Sequence, residues 1–470
     1  MRIGARVLGI ALGALLLLPV CGFAPDPAQQ VGADFVVTAA PVYVPLAEMR
    51  GQERFPKGAQ LLRVHDGKAA PLVSGFAATA DASVYFDGKL VLFSGKRAAG
   101  DPWQIYEVSL VDGAVRKVIT TAGDAERPLY LPGGRMVWAQ RTADGFQLQS
   151  SRDGHPMEKV PLNPTAGPGI LALSYVRGNA FPSDVLKDGR ILFAAGFPLG
   201  LGASPEIYVV YADGSGVEAY RCDHGRARWG GSQLTSGDII FTHGASLARF
   251  SSPYAHELPV VAPHAEYAGS VAETPAGEWL LSARRSSAEP YAIRLWKPGT
   301  AAMRTVLTEL HENLVEPVLL LPHAAPLRHP SGLHPWSYAN LLAMDARLSR
   351  EGDLKKTPAR VQLEAQDKDG RAVAMGTAPV AADGSFFVQV PGDRPIRFAL
   401  LDARGKVVRR ERGWFWIRAG EQRICTGCHT GPERAFPNQV PEVLQETTTP
   451  ADLTHARPAE TIQAARPGGR

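Results

Sequence analysis

Between residues 35 and 320 the chain repeats one pattern: a glycine-bearing polar turn followed by a short apolar run. The units are Asp87-Gly88-Lys89-Leu90-Val91-Leu92-Phe93, Gly133-Gly134-Arg135-Met136-Val137-Trp138, Asp188-Gly189-Arg190-Ile191-Leu192-Phe193, Ser236-Gly237-Asp238-Ile239-Ile240-Phe241 and Ala276-Gly277-Glu278-Trp279-Leu280-Leu281. Each is a tight turn feeding a buried β-strand, since apolar runs this short after a turn are not long enough for a helix. Gly88, Gly134, Gly189, Gly237 and Gly277 return at a near-regular spacing, which is that of four-stranded propeller blades. Second runs follow at strand distance, as in Gln104-Ile105-Tyr106-Glu107-Val108 and Glu206-Ile207-Tyr208-Val209-Val210. The spacing predicts a β-propeller over residues 35–325 with about six blades, the segment Phe35 to Tyr43 supplying a strand that closes the ring. A β-sandwich followed by unrelated β domains is the competing reading, and the regular spacing counts against it.

After the proline-punctuated stretch Leu321-Pro322-His323-Ala324-Ala325-Pro326 the periodicity changes. Val361-Gln362-Leu363-Glu364-Ala365 alternates, Asp383-Gly384 turns into Ser385-Phe386-Phe387-Val388-Gln389-Val390, and Ile396 to Leu401 precedes the turn Ala403-Arg404-Gly405. These runs predict a small antiparallel β-sandwich over 326–420. Its last strand, Gly413-Trp414-Phe415-Trp416-Ile417, presents two tryptophans, either to the sandwich core or to a ligand beyond it. Residues 421–445 form a separate segment, and 446–470, with Thr447-Thr448-Thr449-Pro450 and a Gly- and Arg-rich end, read as a flexible tail. The fold class is therefore all-β.

Residues 1–24 have the make-up of an export signal: Arg2 and Arg6, an apolar run from Val7 to Val20, and small residues around Gly22 to Ala24. The run is too short to span a bilayer. Cys21 lies where a lipoprotein cysteine would, but Val20 is large for the residue before such a cleavage, so a soluble exported protein is the expectation and a lipid anchor the alternative. A formal charge of +4 over 470 residues, with no basic stripe interleaved with aromatics, gives no case for nucleic acid.

The chemistry is concentrated in Arg423-Ile424-Cys425-Thr426-Gly427-Cys428-His429, which contains C-x-x-C-H, the attachment motif of a c-type haem. Two thiols one turn apart can add across the two haem vinyl groups, and the next histidine then lies under the ring with a nitrogen free for iron. Cys425 and Cys428 are the expected covalent attachment points of one haem c, and His429 the expected axial iron ligand. A structural zinc site would need further ligands at regular spacing, and no second C-x-x-C or H-x(3–5)-H follows the motif; a redox dithiol would open a helix within a βαβ unit, which is missing here. Haem attachment outside the cytoplasm agrees with the export signal, so a periplasmic location is expected. For the sixth ligand the candidates are His455, Met344 and Met375, none at diagnostic spacing. His323, His329 and His334 cluster on the linker, and Cys222-Asp223-His224 sets soft and hard ligands in a row where adjacent side chains rarely share a metal.

From Asp383 to Val440, above all in Gly413-Trp414-Phe415-Trp416-Ile417-Arg418-Ala419-Gly420-Glu421-Gln422-Arg423-Ile424-Cys425-Thr426-Gly427-Cys428-His429, the chain resembles proteins related to the hydrazine synthase alpha subunit. The propeller part is generic and is shared with TolB-type propellers. The resemblance implies a periplasmic haem protein whose iron site packs between sandwich and propeller. It also implies, for the synthase subunit itself, a tyrosine on iron just after the motif and a second haem. Thr430 to Phe436 contains no tyrosine and these 470 residues contain no second C-x-x-C-H, so a relative with other chemistry is expected.

Two classes of function remain. One is a redox protein that passes electrons to a partner protein or acts on a small-molecule substrate, such as a small nitrogen compound, at one haem. The other is a propeller-based binding or sensing module with a structural haem or zinc site and no catalysis.

Overall fold

The computed structural model describes residues 31–119, 121–151, 169–175, 177–196, 199, 204–221, 226–253, 255–349, 352–427 and 438–455. Their strands form eight four-stranded sheets. Six are propeller blades, and the remaining two are the layers of a sandwich.

The first blade is built from both ends of the propeller: Asn313–Leu319 pairs with Phe35–Ala40, which pairs with Gln60–His65 and through it with Lys68–Pro71. The strand expected to close the ring does so, and its partner arrives from the far end of the propeller sequence as the innermost strand. The other blades are continuous in sequence. Their innermost strands are Ala78–Val84, Ala125–Leu131, Ala180–Val185, Arg228–Gln233 and Glu266–Glu273. Together with Asn313–Leu319, the innermost strands contact one another around a central axis.

Every one of the repeated glycine turns joins the innermost strand of a blade to its second strand, so the sequence period is the blade period. The second strands are buried on both faces, as in Ile191–Gly196 and Arg135–Thr142, which explains why they read as unbroken apolar runs. One turn has a further duty. At Gly189, with φ of 86°, a Cβ would stand 2.2 Å from the carbonyl oxygen of Leu327, because the linker after the propeller runs directly over this corner and Leu327 donates its N–H to the Lys187 carbonyl. Only glycine permits so close a backbone approach.

In the sandwich one sheet is antiparallel throughout: Ala372–Pro379, Arg360–Gln366, Ile396–Leu401 and Val407–Arg410. The other departs from the predicted antiparallel pattern. Tyr338–Ala343 and Phe386–Pro391 pair antiparallel at its centre, while both edges, Gln422–Cys425 and Ala451–Asp452, run parallel to their neighbours. Parallel edges arise because the chain returns to them after long excursions. Two segments set apart on sequence thus belong to the sandwich: Gln422–Cys425 is one of its strands. Part of the expected tail is ordered too, with Leu453 buried beside Val388 and Met375 in the core. No helix among the described residues is long and apolar enough to cross a membrane.

Candidate functional site

The route to the Cys425 motif begins at Trp414. This segment is extended but makes only a two-residue bridge, Phe415 with Ile396, rather than a full strand. Alternation in an extended chain puts successive side chains on opposite sides. Here the two sides belong to different domains. Phe415 and Ile417 pack on the sandwich core, among Ile396, Phe398 and Phe386. Trp414 and Trp416 pack on the propeller, with Leu173, Ile191, Phe193, Tyr208 and Val217 of its third and fourth blades. The expectation that the tryptophans face the sandwich core is not met, since both pack on the propeller instead. Burying two indoles between the domains is worth several kcal/mol on area alone, at about 25 cal/mol per Å².

Polar contacts lock the same seam. Arg418 donates to Asp393 at 2.9 Å and to the hydroxyl of Tyr175 on the propeller. Glu421, largely buried, accepts from the backbone N–H of Arg418 at 3.0 Å, from that of Gly216 on the propeller at 3.3 Å, and from Arg423 at 2.8 Å. Arg423 reaches on to the carbonyl of Val217 at 3.2 Å. At Gly420, with φ of 83°, a Cβ would lie 2.0 Å from the carbonyl oxygen of His334, and the two residues are tied by a 2.9 Å hydrogen bond from His334 N–H to Gly420 C=O.

From this clamp the strand Gln422–Cys425 enters the sheet edge in fixed register, Asn340 opposite Gln422 and Ala343 opposite Cys425. Arg423 and Cys425 are half-buried, whereas Gln422 is exposed and Ile424 is 68% exposed. The Cys425 carbonyl accepts from Met344 N–H at 2.8 Å, and its side chain rests against the sandwich core. Burial pushes the Cys425 thiol up, opposed by Arg423 and reinforced by Glu411, Glu421 and the propeller's Glu218. Cys425 therefore sits where sandwich and propeller charges both reach it.

Cys428 and His429 lie outside the described residues, as do Cys21, Cys222, Asp223, His224 and the export segment. The candidate sixth ligands part company. Met375 is a core residue. His455 is exposed and hydrogen-bonded to Thr454 at 2.6 Å, beyond the opposite sheet edge from Cys425. Met344 is half-buried next to Cys425. The linker histidines are spread out: His323 packs on Phe86, His329 stacks on Tyr211 at 3.8 Å and His334 on Trp336 at 4.1 Å. Among the described residues no three His, Cys, Asp or Glu side chains converge on a metal position. Sequence reasoning missed Arg418, Glu421, Asp393 and Tyr175, because their roles depend on a contact between domains that no local pattern encodes.

Cys425 is the last residue of an edge strand and takes part in no disulfide among the described residues.

Residues 344–430 match the family model described as the hydrazine synthase alpha subunit middle domain. The fold resembles Kuenenia stuttgartiensis hydrazine synthase at 16% identity and a TM-score of 0.74, over 90% of this chain and 73% of that one. TolB from Acinetobacter baumannii matches at 14% identity and a TM-score of 0.45, over 61% of this chain and 66% of that one. The nidogen/laminin complex matches at 10% identity and 0.44, over 62% and 100%. No curated protein matches the chain.

Proposed function

For this chain, which is related to the hydrazine synthase alpha subunit through its sandwich domain, we propose the role of an exported c-type haem protein working in electron transfer or in redox chemistry of a small nitrogen compound. The observation that carries the reading is the position of C-x-x-C-H: it begins on the last residue of a sandwich edge strand that a clamp of Trp414, Trp416, Arg418 and Glu421 fixes against the propeller. Cys425 and Cys428 would hold the haem and His429 its iron, and the bound haem supplies one-electron chemistry.

This chain's own residues do the positioning. The strand pairing of Gln422–Cys425 sets where the attachment segment leaves the sheet, and Glu421 ties that strand to the propeller turn at Gly216. Glu218, Glu411 and Glu421 bring negative charge close to Cys425. Carboxylates near a haem favour its oxidised, more positive state and so lower its potential.

The test is production with the native export segment in a host that matures c-type cytochromes. The fragment containing Cys425 and Cys428 should carry the mass of one haem after denaturation, and the secreted chain should begin near Pro25. Oxidised and reduced spectra with and without carbon monoxide then separate electron transfer from chemistry at an open iron. Free thiols at both cysteines in such a host would overturn the reading.

A further inference from the structure

The propeller axis holds a buried charge cluster that the haem reading does not use. The innermost strands of the blades carry bulges, and in five of the six a residue of positive φ marks the place: Glu316 at 57°, Asp81 at 60°, Arg127 at 53°, Gly230 and Gly269. Two blades use glycine there. Three consecutive blades instead place charged side chains, at a backbone cost of about 1–2 kcal/mol each.

Residues 41–59 lie over these positions. Met49 packs among Ala139, Phe146, Phe181 and Trp229 of the third, fourth and fifth blades, and Phe55 among Ala80, Tyr291 and Val315. This segment brings Glu48 and Arg54, both almost fully buried. Arg54 pairs with Asp81 and, at 2.7 Å, with Glu316. Arg127 donates to Glu48 at 2.7 Å and to Glu316 at 3.1 Å. Ser94 donates to Asp81 at 2.7 Å. Glu126, also buried, adjoins the cluster; burial first, then the charge of Asp81, pushes its carboxyl up to about 8, so it holds a proton at neutral pH.

The charges do not balance. Three carboxylates, Glu48, Asp81 and Glu316, face only two guanidiniums, Arg54 and Arg127, so the acidic groups of the cluster outnumber the basic ones by one. The excess has an address: Glu48 Oε2 is closed to solvent and meets no hydrogen-bond donor, although Glu48 Oε1 is shared by both arginines. Two donor atoms nearby, the Nε of Arg54 and of Arg127, also lack hydrogen bonds. Both are nonetheless accommodated electrostatically, the first 3.5 Å from Glu48 Oε1 and the second in a guanidinium lying 5.1 Å over the Trp229 ring. What the cluster lacks is positive charge, and an uncompensated buried carboxylate costs several kcal/mol.

We propose that the propeller axis binds one small monovalent cation at Glu48 Oε2, beneath residues 41–59. A single charge restores neutrality. A multiply charged metal is not served, because no three acidic or histidine side chains among the described residues converge on one position, whereas an alkali ion accepts a loose shell of carbonyls and water. The ion would fasten residues 41–59 to the three blades that supply Asp81, Arg127 and Glu316, including the ring-closing strand.

The experiment is chemical unfolding of the full-length chain at pH 7 and constant ionic strength, in chloride salts of potassium, sodium or tetramethylammonium. Stability should be higher in potassium or sodium than in tetramethylammonium, which is too large to enter. Above the dissociation constant, tenfold more of the small ion should raise the folding equilibrium constant close to tenfold; the order of potassium and sodium reports which radius fits. Glu48→Gln removes the excess charge and should make the three salts equivalent. Glu126→Gln, which mimics the protonated acid, should keep the wild-type preference. If Glu48→Gln does not fold, Glu316→Gln removes the same unit of charge and is read in its place. Equal wild-type stability in all three salts, or a cation preference that survives loss of the charge, would overturn the proposal.

Discussion

Trp416 and Ile417 are neighbours in the chain and belong to different cores: Trp416 lies in the propeller cluster around Phe193 and Tyr208, Ile417 in the sandwich cluster around Ile396. Both are fully buried. An extended backbone turns consecutive side chains through half a circle, so one short segment serves as the seam of two domains and sets the start of the strand that ends at Cys425.

Truncating the seam should therefore cost more than an ordinary surface change. Trp416→Ala is expected to destabilise by about 3–5 kcal/mol through lost contacts and the cavity left behind. Trp416→Phe should cost clearly less, because the buried indole N–H makes no hydrogen bond and nothing polar is lost with it. Urea unfolding of both variants measures the difference.

Gly420→Ala places a methyl group against the His334 carbonyl and asks alanine to hold a φ of 83°. A loss of more than about 2 kcal/mol is expected from strain and displacement together. Limited proteolysis should then open the 326–337 linker first, since His334 is held at this point by its backbone hydrogen bond to Gly420 together with a 3.0 Å contact between its ring and Gln422.

Arg418 and Asp393 should be coupled. Arg418→Met and Asp393→Asn, alone and together, form a cycle whose interaction energy is expected at about 1 kcal/mol or more, given a 2.9 Å contact with the arginine side chain mostly covered. Additive single effects would show that Tyr175 and the Ala172 carbonyl are the partners that matter.

Stability should fall with rising pH through the neutral range because of Glu126. Its carboxyl is raised on folding from an ordinary 4.5 to about 8, so the folded protein binds the proton more tightly than the unfolded chain does. The contribution is fully present below about pH 4.5 and is lost as pH rises towards about 8. Within that window the expected slope from this group is roughly 1 kcal/mol per pH unit. Glu126→Gln should flatten that part of the profile and be more stable than wild type at pH 8, but not at pH 4.

Much of the fold was determined along the chain. The glycine turns at Gly88, Gly189, Gly237 and Gly277 each mark the corner between the first two strands of a blade, and the apolar runs after them are the doubly buried second strands. These features are local: a left-handed turn favours glycine, and a strand covered on both faces needs apolar residues throughout. The Cys425 motif is local for the same reason, since its spacing is fixed by the group it would bind.

What only the tertiary structure decided is whatever joins distant segments. Periodicity showed that Trp414 and Trp416 share a face, but not that this face meets Ile191 and Phe193, which lie in the middle of the propeller sequence. Gln422–Cys425 looked like a separate segment because a parallel edge strand takes its partner from far away, here Tyr338–Ala343. The axial cluster was least legible of all. Glu48, Arg54, Asp81, Arg127 and Glu316 are scattered from the start of the propeller sequence to its end, and each looks like a surface charge in its own stretch; ring closure alone buries them together, where charge has to be balanced at close range instead of by water.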